Sequence, residues 1–204
     1  MVIQGTLEWK QLRAGKVTAS KIADVLAKGR GNAESVTRAK YRDQLVTERL
    51  TTTVAEGFTN EAMQRGTELE PKARDSYAFK TGVHVEEVGF IDHPKIAMSG
   101  ASPDGLVEEV GLVEFKCPNS NTHREYIMDG KVPEKYKPQM AWQMACTGRK
   151  WCDFVSYDDR FADSSKHLFI VRYERDDEYI DFIEDEVKKF LAEVDNLVAE
   201  FNRS

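Results

Sequence analysis

Between Ser102 and Lys116 the chain runs Ser-Pro-Asp-Gly-Leu-Val-Glu-Glu-Val-Gly-Leu-Val-Glu-Phe-Lys, a pattern with few structural solutions. Pro103 presets φ, Asp104 and Gly105 suit a turn, and a second turn is expected at Gly111, so two short strands close into a hairpin. Strand side chains alternate, which puts Leu112, Glu114 and Lys116 on one face and Val113 and Phe115 on the other. A carboxylate and an ammonium two residues apart have backbones only about 6.5–7 Å apart, so both can reach one small volume. Paired as a hairpin, Asp104 comes near Glu114. Two carboxylates and a lysine can hold a hard divalent cation and leave an amine to position or deprotonate a water. On an arbitrary chain the same Glu-x-Lys is a surface ion pair worth ~1 kcal/mol at most.

A chain of 204 residues with no Pro/Gly/Ser-rich linker reads as one domain, residues 1–204. With 41% hydrophobic and 31% charged residues and no apolar run of membrane length, no membrane partner is expected. The N-terminus lacks a basic segment followed by an apolar core, so a cytoplasmic protein is expected. Cysteines stand at 117, 146 and 152, without paired spacing; we expect buried or half-buried free thiols rather than a disulfide framework or a four-cysteine cluster. The net charge of −6 argues against nucleic acid only until its distribution is read. Residues 1–50 hold ten Lys/Arg against five Asp/Glu, and residues 174–204 hold four against eleven. A basic footprint can therefore be local.

Along the chain, Trp9 to Ser20 leads into a helix with Thr18 or Ser20 as its cap and Ile22, Val25 and Leu26 as its apolar stripe, ending at Gly29-Arg30-Gly31. The free N–H groups of such a helix start, beside an arginine, suit a phosphate. Residues 36–50 pattern as a helix on Val36, Tyr41, Leu45, Val46 and Leu50, laced with Arg38, Lys40, Arg42 and Arg49. From Asn60 to Phe79, Ala62, Met63, Gly66, Leu69, Ala73 and Tyr77 keep helical spacing, and Pro71 implies a kink or a later start. Val83 to Ile91 reads as a strand, Asp92-His93-Pro94 as an exposed turn, and Ile96 to Ser99 as another strand. Asn119 to His123 reads as polar loop. Pro133 to Ala145 is a helix with Gln139 and Gln143 on one face and Met140, Trp142 and Met144 in the core. Residues 152–157 and 168–173 are strands, and Ile180 to Phe201 is a long amphipathic helix covering the sheet. The sum is an α/β domain, a mixed central sheet of about five strands flanked by helices.

Asp104…Glu114-Phe115-Lys116 resembles the PD-(D/E)xK nuclease signature, which implies a restriction-endonuclease-like core. Ser102-Pro103-Asp104-Gly105 with Glu114-Phe115-Lys116-Cys117-Pro118 resembles, more narrowly, the lambda exonuclease family, the YqaJ-like viral recombinases. Trp9…Leu12-Arg13-x-Gly15-x-x-Thr18-Ala19-Ser20 and Gly66-x-x-x-Glu70-x-x-Ala73-Arg74 resemble two more of its motifs, so the likeness runs from about Trp9 to Arg160. It implies that Asp104, Glu114 and the Phe115 carbonyl hold Mg²⁺, or Mn²⁺ in its place, with Glu70 joining directly or through water. Lys116 then orients or deprotonates the water, and Gln139 helps orient the site. Arg13, Ser20 and Ser102 fall where the family contacts a 5′-terminal phosphate; Arg124 matches a family arginine only across a small insertion. Asp92 is off by a residue or two from a family acid and is left unassigned, as is His93.

The resemblance further implies a processive 5′→3′ exonuclease on linear double-stranded DNA with 5′-phosphorylated ends, leaving 3′ overhangs. It implies a ring-shaped homotrimer, a single-strand annealing protein as partner, and a phage or prophage gene expressed in a bacterial cytoplasm. Two rivals stand beside it: an endonuclease of the same superfamily, and an inactive DNA-end-binding module in which the Asp, Glu and Lys are structural.

Overall fold

The computed structural model describes residues 2–31, 33–54 and 61–204, except for the side chains of Ala62 and Met63. The expected helix start at Asn60 and the inward placing of Ala62 and Met63 lie outside the described residues. The order of elements is α1 (Leu7–Arg13), β1 (Val17–Thr18), α2 (Ile22–Val25), α3 (Val36–Thr51), α4 (Glu61–Thr81), β2 (Val85–Glu86), β3 (Ile91–Asp92) and β4 (Ser99–Ala101). Then come β5 (Gly105–Val107), β6 (Gly111–Lys116), α5 (Ser120–Asp129), α6 (Lys137–Thr147), β7 (Trp151–Tyr157), β8 (Leu168–Glu174) and α7 (Asp177–Phe201). The main sheet has five strands in the order β2-β5-β6-β7-β8. Only β6 and β7 pair in parallel, so the sheet is mixed as expected. A parallel pair needs a crossover, and α5 and α6 supply it.

The alternation of β6 divides the core in two. Val113 and Phe115 join Leu69, Ala73 and Tyr77 of α4, buried at i, i+4 and i+8 under one face of the sheet. Leu112 points the other way, into the larger cluster built with α6 and α7 through Met140, Trp142, Ile183 and Phe190. Glu114 lies on that second face, 1% exposed, among hydrophobic neighbours. The hairpin forms in the expected register, with Gly105 opposite Val113 and Leu106 opposite Leu112. Its turn, however, spans Glu108 to Val110, and Gly111 is already the first residue of β6. Arg149 fixes that turn by donating to the carbonyls of Val107, Glu108 and Gly111 at 3.1, 2.8 and 2.8 Å.

Several local expectations are corrected. The helix after Thr18 is short: a 3₁₀ turn over Ala19–Lys21 precedes α2, and no side-chain cap forms at Thr18 or Lys21. Ile22 and Val25 are nonetheless buried as the stripe required. Val83 to Ile91 splits into β2 and β3, which belong to different sheets, and Ile96 is buried in a turn before β4 rather than in a strand. A small sheet, β1-β4-β3, results, with β1 parallel to β4. Asn119 to His123 is no loop: Asn119 Oδ1 accepts from Thr122 N at 2.9 Å and starts α5, which buries His123 and Tyr126. α4 runs through Pro71 without stopping. Val36 is 69% exposed, while Tyr41 and Leu45 carry the packing of α3. The basic residues of α3 face acids of α7 and its own entry. Arg38 and Arg42 both reach Glu193, at 2.7 and 3.4 Å, and Arg49 pairs with Asp195.

Candidate active site

Asp104 sits where the chain enters β5, and its Oδ2 accepts from Phe115 N at 2.7 Å across the hairpin. That bond ties the first carboxylate to the strand carrying the second. The carboxylate of Glu114 is held by three donors: Lys116 Nζ and Gln139 Nε2 (2.5 Å) on Oε1, and Gln143 Nε2 (2.6 Å) on Oε2. A carboxylate this deeply buried requires such donors, because losing water without them costs several kcal/mol. Gln139 and Gln143 lie one helical turn apart on α6, so the two amides grip both oxygens.

Three acids share this volume electrostatically. Burial, then the charge of Glu114, push the Asp104 carboxyl well above the ordinary range. Burial also raises Glu70; the Arg74 guanidinium, 3.1 Å away, works against that and the Glu114 charge adds to it. Burial works to lower the Lys116 ammonium, but Glu114 and Asp104 outweigh it and hold the lysine above its usual range. In this arrangement Lys116 is an ammonium that donates to Glu114. Among the described residues no three acid, imidazole or thiol groups already converge as a cage for an ion. The donor chemistry nonetheless fits a hard divalent cation, since the mutual repulsion of Asp104, Glu114 and Glu70 is what a bound cation relieves.

A cavity of about 160 Å³ opens over this cluster, and Asp104, Glu114, Lys116 and Gln139 share its wall with Arg13, Ser20 and Ser102. Sequence reasoning names all seven from four separate segments. Trp9 organises the far side: Arg13 stacks over its ring at 3.8 Å, and its Nε1 donates to Ser102 Oγ at 2.9 Å. Gln4, which the sequence reading passed over, also lines the cavity and donates to Pro103 O at 2.8 Å. The Arg13 Nε is buried without a hydrogen-bond partner. Arg124 is exposed on α5 and is not among the lining residues. Glu70, on α4, is not among the lining residues, and the Phe115 side chain packs edge-on against Tyr77. Gln143 was missed as a site residue, although its spacing from Gln139 was the available signal.

Asp92 pairs with Lys16 at 2.6 Å, away from the cavity. His93 is buried, not exposed: it stacks on Trp142 at 4.7 Å, and its Nδ1 accepts from the backbone of Lys95 and Ile96. A roomier cavity of about 590 Å³ beside Phe79, His167 and Leu168 holds no comparable convergence of charged groups.

Fold and carboxylate–lysine hairpin together define a nuclease. The chain is 53% identical to an alkaline exonuclease from Laribacter hongkongensis, over 97% of each chain, with a TM-score of 0.90. That protein has also been solved in complex with dAMP. The family model for the YqaJ-like viral recombinase domain matches residues 8–150, and the chain belongs to that family. A phage-related exonuclease from Haemophilus somnus 129PT, 17% identical with a TM-score of 0.68 over 94% of this chain and 99% of that one, shares the fold. No curated protein matches the chain.

Proposed function

We propose that the chain is a single nuclease domain that degrades linear double-stranded DNA 5′→3′ from phosphorylated ends, leaving 3′ single strands for phage-type recombination by annealing. The cavity itself carries this reading, because phosphate-binding groups and the carboxylate–lysine cluster line the same small space. A 5′-phosphate gives the buried Arg13 Nε the partner it lacks, and the Ser20 and Ser102 hydroxyls can donate to the same anion. The first internucleotide linkage then falls at Asp104, Glu114 and Lys116. Asp104, Glu114, the Phe115 carbonyl and Glu70 would hold Mg²⁺ or Mn²⁺, which when bound stabilises charge on the scissile phosphate and acidifies a water. Lys116 orients that water or deprotonates it, and its ammonium form can also donate to the phosphate. Gln139 and Gln143 hold the plane of the Glu114 carboxylate. The Laribacter relative binds dAMP, a nucleoside monophosphate of the class this reaction releases.

The test is a timed digestion of linear duplexes with 5′-phosphate or 5′-hydroxyl ends beside a closed circle, in Mg²⁺ and in EDTA, for wild type and Lys116→Ala. We expect the phosphorylated duplex to be resected from its 5′ ends, the circle to survive, and both EDTA and the substitution to stop the reaction. A cut circle means an endonuclease; no cutting at all means an end-binding module. A ring trimer with an annealing partner, in the bacterial cytoplasm, belongs to the same proposal. Light scattering should then give three times the 23.2 kDa chain mass, and a single-chain mass would sink the ring.

A further inference from the structure

A second cavity, of about 330 Å³, begins where the first one ends. β6 carries Glu114 and Lys116 into the first, and the chain continues as Cys117 and Pro118 in the wall of the second. Tyr136, also in that wall, lies under the Lys116 ammonium at 5.3 Å. We propose that this groove holds the internucleotide phosphates on the inner side of the bond to be cut, a role that rests on the exonuclease reading above. A strand whose 5′ end is at Arg13 and whose first linkage is at Lys116 has this groove as its continuation.

Among the described residues the wall offers three cations, Arg65, Lys135 and Arg160, and no acid. Asp158, fully buried, holds Arg65 at 3.1 Å and Arg160 at 2.8 Å from behind. Both guanidiniums also donate to the Pro118 carbonyl, at 3.2 and 3.4 Å, so they are fixed before any ligand arrives. Asp159, a second acid near Arg65 at 3.8 Å, has Lys72 as a further partner at 3.5 Å. Among the described residues Lys135 keeps company with two tyrosines, its ammonium 4.9 and 5.7 Å from the ring centres of Tyr136 and Tyr126. The first turn of α5, with its outward N–H groups, adds to the same positive field. Backbone rather than base is the fitting ligand. Tyr136 is already stacked on Phe154 at 5.3 Å and covered by two ammoniums, so no open ring face is left for a base.

The test pairs a change in the DNA with one in the protein. Phosphorylated duplexes carry either natural linkages or neutral methylphosphonates at the second and third linkages of the cut strand, and release of the first nucleotide is followed. Wild type should lose about tenfold in kcat/KM on the neutral linkages. Lys135→Ala alters an exposed side chain, should be several-fold slower on natural DNA, and, with Arg65 and Arg160 still in place, should lose clearly less than about tenfold further on the neutral DNA. Its binding should also depend less on salt, by about one unit of logarithmic slope. The groove is overturned if wild type ignores the neutral linkages, or if Lys135→Ala still loses the full tenfold. Failure of wild type on the natural phosphorylated duplex instead overturns the exonuclease reading.

Discussion

Asp104 is costly where it stands. Burial and the Glu114 charge raise its pKa, so folding takes up a proton and the residue opposes folding once it must ionise. The sign follows: below the ordinary carboxylate range both states are protonated and nothing is lost, and stability falls as pH rises from there through the raised value. Asp104→Asn keeps an oxygen for the Phe115 amide and removes the charge. In EDTA it should melt about 2–4 °C higher than wild type at pH 8, the shift that roughly 1 kcal/mol gives a chain of this size. The gap should close near pH 4, and digestion should fall at least about a hundredfold. A variant that melts below wild type at pH 8 would show that the carboxylate is not repelled. Much of this was legible, because the alternation of β6 and the turn chemistry before it bring Asp104, Glu114 and Lys116 together. Gln143 was not, since its role depends on how deeply Glu114 is buried, and alternation gives the face but not the depth. His93 misled for the same reason: beside Pro94 it reads as a turn residue, yet Trp142 covers it.

At the scale of elements, the hairpin is held from its far end. Gly111 lies against the Trp151 ring, where an added Cβ would come within 2.2 Å. That ring cannot easily yield, because the Arg172 guanidinium covers it at 3.4 Å while bonding Asp153 at 2.8 Å, and Tyr77 bonds the same carboxylate. Gly111→Ala should therefore cost about 1–3 kcal/mol, read as a lower denaturant midpoint with an unchanged slope. A midpoint within error of wild type would mean that the ring moves freely. Long elements were read from periodicity; α3, α4, α6 and α7 bury the middle of the expected stripe, while Val36 and Phe201 at its ends are exposed. Short ones were not. β2 and β3 have two residues each, too few to show alternation, and the helical character of α5 rests on one Asn cap and two buried rings in an otherwise polar run.

Across the whole molecule, the uneven charge finds its use in packing. The basic side of α3 and the acidic side of α7, far apart in sequence, meet through Arg38, Arg42 and Glu193. Hydrogen bonds from Arg38 lead in holding the Glu193 carboxyl below its ordinary range, so its contribution is present above that range and is lost as pH falls through the lowered value. Glu193 is 39% exposed, which limits the pair to about 1 kcal/mol. Glu193→Gln should melt slightly lower than wild type at pH 7, with the difference shrinking in high salt and fading as pH falls through the lowered value. A difference that persists at low pH would assign the effect to packing.

The cavity draws on residues from Gln4 to Gln139, and its frame depends on Val17 pairing with Ser99 and on β6 pairing with β7. Such distant closures cost chain entropy before any contact repays it. A chain emerging N-terminus first exposes Arg13 and Asp104 before α6 and β7 have been made to hold Glu114. On the proposed reading of the site, the power to cut arises only after the ribosome has moved past β7, the strand that completes it.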